Sequence, residues 1–195
     1  IFPTDGGAER LSFLGTPPVF GTDSVNFFKA SAKTQHYFPI AKDLTLMVMA
    51  EVAYGGSYND TPGLPFWENY FAGGPQVMRG FYPSSLGPRT LPNSLGAGGG
   101  LSLGCSSKIV SSIELLAPIP FLTDSKNMRI GAFLDVGNVY CEAFKVASPA
   151  AITEGGGTPC FAEAKGDFLR YSPGLLARWL SPFGALGVSI ARPLN

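Results

Sequence analysis

The stretch "LTLMVMAEVAY", residues 44–54, sets the strongest limit on what this chain can fold into. Apolar or aromatic side chains occupy every second position, from Leu44 to Val52 and Tyr54. Strict alternation of this kind is typical of a β-strand whose two faces meet different surroundings. Similar alternation recurs at residues 27–38, 129–137, 168–180 and 186–191. The chain is therefore predicted to be all-β.

The low charge content indicates what the two strand faces meet. Charged residues make up 14% of the chain, whereas soluble domains average about 25%. No stretch reaches the roughly 20 apolar residues that a membrane helix needs, so a membrane form would have to be a closed β-barrel. A soluble β-sandwich would also alternate, and this alternative remains open. The small, sparsely charged second face and the aromatics near strand ends favour the barrel, with lipid outside.

The connections between the predicted strands alternate between short and long. Tight turns are predicted at 39–43 and 181–184, with a longer link at 118–127, whereas 55–94 and 141–166 are long and rich in glycine and proline. Outer-membrane barrels combine short periplasmic turns with long extracellular loops in this way. The prediction is an antiparallel transmembrane β-barrel portion with seven strands, near residues 8–15, 25–38, 43–56, 101–116, 128–140, 167–180 and 184–193.

The first long loop carries the sequence "MRGF" at residues 78–81. The later stretches "SIELLAP" and "AFLDVGNVY" place Glu114 and Asp135 opposite the apolar faces of their strands. If the apolar faces meet lipid, both carboxylates point inward and need a cation or water. Arg79 could supply the cation through bidentate hydrogen bonds. An exposed loop arginine with two solvated acids is the alternative that this chemistry leaves open.

Composition argues against several other classes of protein. Lysine plus arginine equals aspartate plus glutamate, 14 each, so no charge excess indicates nucleic-acid binding. The single histidine, His36, is the one candidate general base of the chain, and it falls on the more apolar face of its strand. Cysteine and histidine show no metal-ligand spacing. We therefore expect no enzyme activity, no metal and no cofactor.

The three cysteines predict one disulfide. Cys141 and Cys160 flank a segment rich in glycine and proline, which suits a loop disulfide in an oxidising compartment. Unpaired thiols remain the alternative, because pairing cannot be read from sequence. Cys105 is expected to be unpaired. The start, "IFPTDGGAER", lacks the pattern of a signal peptide, so the chain is expected to be mature or a fragment.

Several motifs, taken in order, resemble the Omp85 superfamily. They are "FPTDG", "PFWENYFAGGPQVMRGFYPSSLGPR", "SIELLAPIPFLTDSKNMRIGAFLDVGNVY" and "LRYSPGLLARWLSPFGALGVSIARPLN". The resemblance implies a barrel of about sixteen strands, preceded by POTRA domains, of which this chain would be the C-terminal part without the last strand. It also implies a lumen-inserted loop, about 57–94, whose motif matches Met78, Arg79, Gly80 and Phe81, with methionine where the family has valine. The family's acidic partners map to Glu114 and Asp135.

The resemblance also implies a function and a location. The lead-in "PFWENYFAGG" favours the superfamily members that fold and insert other outer-membrane proteins. Two-partner secretion transporters, which export a polypeptide, share the loop motif and remain the alternative, as does a passive porin. The expected location is the outer membrane of a Gram-negative bacterium. The expected partners are outer-membrane lipids, unfolded outer-membrane protein clients and accessory assembly lipoproteins, with no nucleic acid.

Overall fold

The computed structural model describes residues 2–17, 25–59, 61, 63–87, 102–119, 127–141 and 169–194. They form one antiparallel sheet of seven strands that follow one another in chain order. The strands are β1 (Gly6–Gly15), β2 (Phe27–Ala41), β3 (Leu44–Ser57), β4 (Ser107–Pro118), β5 (Met128–Tyr140), β6 (Arg170–Ser181) and β7 (Gly184–Ala191). A 3-10 helix at Phe66–Glu68 lies between β3 and β4. The predicted all-β, antiparallel fold is confirmed.

The sheet is open, with β1 and β7 at its two edges. Two-residue connections at 42–43 and 182–183 lie at one end of the strands, and the long segments leave from the other end. This agrees with the predicted alternation of short and long connections. Within the described ranges, no helix is long and apolar enough to cross a membrane.

The start of β4 is the one strand limit that differs by more than three residues from the prediction. It was expected at residue 101 and lies at Ser107. The preceding residues leave the sheet because Cys105 pairs with the returning loop: the Tyr70 N–H donates to its carbonyl (2.7 Å), and its own N–H donates to the Tyr70 carbonyl (2.9 Å). A loop partner thus replaces the strand partner that alternation alone predicted.

The two faces of the sheet differ as the alternation predicted. On β4, Ile113 and Leu115 are 44% and 40% exposed, whereas Ser112 and Glu114, which alternate with them, are 3% and 2% exposed. The apolar outer face has no covering layer in the described part of the chain. The inner face is buried because the segment after β3 folds back across it.

Two apolar clusters on the inner face form the core. The first joins the returning segment to the ends of β4 and β5 and comprises Ala72, Met78, Leu86, Cys105, Val110 and Val139. The second lies on the strands themselves and comprises Met47, Leu116, Phe133 and Leu176. Along β4 and β5, the polar residues Ser112, Glu114 and Asp135 lie between the two clusters. They are therefore shielded from water on both sides.

Candidate functional site

The returning segment contains a tight turn at residues 74–81, here called the docked loop. The N–H of Gly74 donates to the Phe81 carbonyl (3.1 Å), and the N–H of Met78 donates to the Gly74 carbonyl (2.9 Å). Gly74 has a φ of 90°, which glycine adopts without steric cost. This geometry directs Arg79 at β4 and β5. The predicted loop limits, about 57–94, include residues outside the described part of the chain.

Arg79 makes a dense set of hydrogen bonds with the sheet. Its Nε and Nη2 donate to Oδ2 and Oδ1 of Asp135 (2.8 and 2.6 Å), and its backbone N–H donates to Oδ2 (2.9 Å). Nη1 donates to Glu114 Oε1 (2.6 Å), and Nη2 also donates to Ser112 Oγ (2.9 Å). The structure thus brings together the arginine and both predicted acids. We call these four residues the arginine site.

The strand register explains why the two acids converge. Ser112 lies directly opposite Asp135 in the β4–β5 ladder, and Glu114 lies opposite Phe133. Residues two apart on a strand share a face. The side chains of Ser112, Glu114, Phe133 and Asp135 therefore all point inward on the neighbouring strands β4 and β5. Ser112 Oγ also donates to Asp135 Oδ1 (2.6 Å). Because both residues belong to the sheet, this hydrogen bond holds the carboxylate in place independently of the loop.

The arginine site is almost fully buried. The Glu114 and Asp135 side chains are each 2% exposed and that of Arg79 is 12% exposed. The guanidinium lies over the Phe133 ring, 3.5 Å from its centroid, a stacking contact that arginine favours. Burial by itself lowers the pKa of Arg79, but the hydrogen bonds and charges of Asp135 and Glu114 outweigh it and raise the pKa above its ordinary value. The guanidinium therefore stays charged.

The other predicted motif residues pack around Arg79. Gly80 has a φ of 85°, and a Cβ there would lie 2.6 Å from Ser172 Oγ on β6. Met78 is fully buried in the first apolar cluster, with Phe81 packed against it. A glycine is thus required for both conformation and space at residue 80, and the methionine at 78 fills an apolar site.

Arg178 on β6 is a second arginine that the sequence reasoning did not assign to the site. Its Nη2 donates to Glu114 Oε1 (2.9 Å) and lies 2.8 Å from Oε2. The sequence held one signal for this role: Arg178 lies an even number of residues after Ser172 on β6, so the two side chains share the inward face. Glu114 therefore contacts two guanidinium groups.

A second set of contacts holds the start of the returning segment. Lys29 Nζ on β2 donates to Glu68 Oε2 (3.0 Å) and lies 4.6 Å from the centroid of the Tyr70 ring. Nearby, Lys108 on β4 forms an ion pair with Glu51 on β3. Sequence reasoning missed these ion pairs, because each joins two residues that are far apart in the chain and that no sequence motif singles out.

The predicted disulfide between Cys141 and Cys160 is wrong. Cys141 forms its disulfide with Cys105, and their Cα atoms lie 4.8 Å apart; Cys160 lies outside the described residues. The physical reason is the β4–β5 register, which places Ser107 opposite Tyr140. The cysteines just beyond this pair therefore meet. The expectation that Cys105 is unpaired is wrong for the same reason.

His36 lies on the outer face, away from the arginine site. Its Nε2 is 3.5 Å from Glu9 Oε1, and its ring stacks on Phe38 with centroids 6.0 Å apart. Among the described residues, no group of three or more histidine, cysteine, aspartate or glutamate side chains is placed to hold a metal ion.

An antiparallel sheet with an apolar outer face and a loop bonded to its inner face is typical of the wall of an outer-membrane β-barrel. The sequence profile of the Omp85 superfamily domain matches residues 1–195, so the chain belongs to the Omp85 superfamily. The predicted resemblance is confirmed.

Two relatives of known identity match the whole chain. The outer membrane protein assembly factor BamA of Neisseria meningitidis serogroup B is 32% identical over 201 residues, which cover 100% of this chain and 24% of that protein. The crystal structure of BamA from Haemophilus ducreyi lacking POTRA domains 1-3 matches with a TM-score of 0.76 and 27% identity, covering 100% of this chain and 36% of that one. The chain thus spans about a quarter to a third of the length of these relatives.

Proposed function

We propose that this chain forms part of the barrel of an outer-membrane protein assembly factor of the BamA kind, which folds and inserts client β-barrels. Membership of the Omp85 superfamily and the likeness of the whole chain to two BamA proteins support the proposal. Because these relatives are BamA proteins, export of a polypeptide by a two-partner secretion transporter is not favoured.

The observation that carries the proposal is the docking of Arg79. A passive pore has no need of a loop arginine bonded to two buried acids. In the proposed function, Arg79 anchors the lumen-inserted loop, about 57–94, and Gly80 and Phe81 let it approach the wall. The anchored loop would fix the shape of the barrel interior while clients are folded.

The proposal includes the setting of the chain. The apolar outer face, with Ile113 and Leu115, would contact the lipids of a Gram-negative outer membrane. The long segments at one end of the strands would be extracellular, and the two-residue turns would be periplasmic. Unfolded outer-membrane proteins would be the clients, and accessory assembly lipoproteins would bind the full-length parent.

The proposal assigns no chemical step to the chain. The two acids of the arginine site are paired with Arg79 and Arg178, and His36 lies on the other face beside Glu9. The free energy for inserting a client would come from burying its apolar surface in lipid and pairing its backbone.

The test is Arg79→Ala in the full-length parent protein. Loss of several charge-assisted bonds, each contributing about 1.5–3 kcal/mol, should expose the loop to protease and slow the assembly of client barrels. Arg79→Lys keeps the charge but loses the bidentate geometry, so its loop cleavage and client assembly should lie between those of the unmutated protein and those of Arg79→Ala.

Arg129→Ala is the matched control. Arg129 lies on β5, and its Nη1 donates to the Asp43 carbonyl (3.5 Å) rather than to an acid of the site. It should leave loop cleavage and client assembly unchanged. Unchanged assembly together with unchanged loop cleavage in Arg79→Ala would overturn the proposal.

A further inference from the structure

Glu114 is shared between an arginine on the docked loop and an arginine on the wall. Arg79 Nη1 lies 2.6 Å from Oε1, and Arg178 Nη2 lies 2.9 Å from Oε1 and 2.8 Å from Oε2. Glu114 and Arg178 belong to the same sheet, on β4 and β6. Their contact therefore needs no loop, whereas the contact with Arg79 does.

Asp135 is also supplied with a donor from the wall. Ser112 Oγ donates to its Oδ1 at 2.6 Å, and both residues lie opposite one another in the β4–β5 ladder. Each buried acid thus has one partner residue on the loop and another on the sheet. Arg79 bonds to Oε1 of Glu114 only, and the contact of Oε2 comes from Arg178 on the sheet.

The charges of the site balance while the loop is docked. Arg79 and Arg178 carry two positive charges, and Glu114 and Asp135 carry two negative charges. If Arg79 leaves, a buried carboxylate without any partner would be strongly unfavourable. Arg178 keeps Glu114 paired in that state, so the wall can release the loop at a lower free-energy cost.

We propose that Arg178 is a positioning residue that makes docking of the loop reversible by competing with Arg79 for Glu114. It follows that the two arginines act with opposite sign. Loss of Arg79 frees the loop. Loss of Arg178 leaves Glu114 dependent on Arg79 and gives the site an excess negative charge, which holds the loop more tightly.

The side-chain environment allows Arg178 to act in this way. Its side chain is 33% exposed, whereas that of Glu114 is 2% exposed. The guanidinium therefore reaches the buried acid from the open side of the inner face. Its position within reach of both carboxylate oxygens suits a bidentate pair once Arg79 has left.

The test measures amide hydrogen exchange at residue 79 in the folded full-length parent. The N–H of Arg79 donates to Asp135 Oδ2 (2.9 Å), so its exchange reports opening of the loop from the wall. Arg178→Gln is expected to slow this exchange by about tenfold, whereas Arg79→Ala should accelerate it. Adding Glu114→Gln should abolish the effect of Arg178→Gln, because the shared charge is then absent.

Arg129→Gln is the matched control for the loss of a positive charge. Arg129 lies directly opposite Arg178 in the β5–β6 ladder, on the same face, and should leave the exchange unchanged. If Arg178→Gln does not fold, Arg178→Lys gives a second signed test. A lysine holds Glu114 at a single point, and exchange is expected to slow by roughly threefold.

Faster exchange in Arg178→Gln or Arg178→Lys would overturn the proposal and make Arg178 a simple member of the anchor. An equal effect of Arg129→Gln would overturn it too, because the cause would be overall charge. The proposal rests on the proposed function only for its consequence, slower client assembly in Arg178→Gln. Slowed exchange with unchanged assembly would uphold the role of Arg178 and count against the proposed function.

Discussion

The two acids of the arginine site are predicted to contribute unequally to docking of the loop. A double-mutant cycle isolates each contribution. One cycle combines Arg79→Ala with Asp135→Asn, and the other combines Arg79→Ala with Glu114→Gln. Each variant is made in the full-length parent, and the free energy of loop opening is obtained from amide exchange at residue 79.

The structure sets the expected magnitudes. Arg79 donates two side-chain hydrogen bonds to Asp135, at 2.8 and 2.6 Å, and one to Glu114, at 2.6 Å. A hydrogen bond to a charged group contributes about 1.5–3 kcal/mol. The coupling is therefore about 3–6 kcal/mol for Asp135 and about 1.5–3 kcal/mol for Glu114. The backbone bond from residue 79 to Asp135 persists in Arg79→Ala and drops out of the cycle.

The competing bond from Arg178 lowers the Glu114 coupling further. The difference between the two cycles corresponds to at least about tenfold in the opening equilibrium, since about 1.4 kcal/mol is one factor of ten. As a control, cycles that pair Arg129→Ala with either acid should give couplings near zero. Equal couplings of Arg79 to the two acids, or a larger coupling to Glu114, would refute this interpretation of the geometry.

Two further predictions concern the disulfide and the loop glycine. Digestion of the unreduced protein should yield a cross-linked peptide containing Cys105 and Cys141, and a peptide linking Cys141 to another cysteine would contradict the structure. The link spans 36 residues, so its loss should lower the free energy of unfolding by about 3–4 kcal/mol. Gly80→Ala, with its positive φ and a Cβ in contact with Ser172, should weaken loop protection by at least about tenfold. Gly184→Ala, also at positive φ but with no neighbour within 4 Å, should leave loop protection unchanged, and equal effects of the two variants would contradict the clash.

The sequence determined the strands and their faces because alternation is a local property. Ile113 and Leu115 point outward, and Ser112 and Glu114 point inward, as the pattern of β4 predicted. A period of two fixes the face of each side chain as soon as the residue is in a strand. The limits of β4 could not be read in the same way, because Cys105 pairs with a loop residue distant in the chain.

The motif and its two acids were also accessible from the sequence. Arg79 needed carboxylate partners, and the alternation left Glu114 and Asp135 on the inward face. What the sequence could not provide was the distribution of bonds between them. The β4–β5 register decides that Asp135 receives the bidentate fork and that Glu114 receives one bond.

The tertiary structure alone decided the contacts that join distant strands. Cys105 pairs with Cys141 across 36 residues, and Arg178 reaches Glu114 across 64. Both contacts depend on how strands align and on where the loop returns, which is the sum of many weak contacts over the whole sheet. No local sequence pattern encodes that sum. The partners of Arg178 and Cys105 are therefore defined only in the assembled sheet.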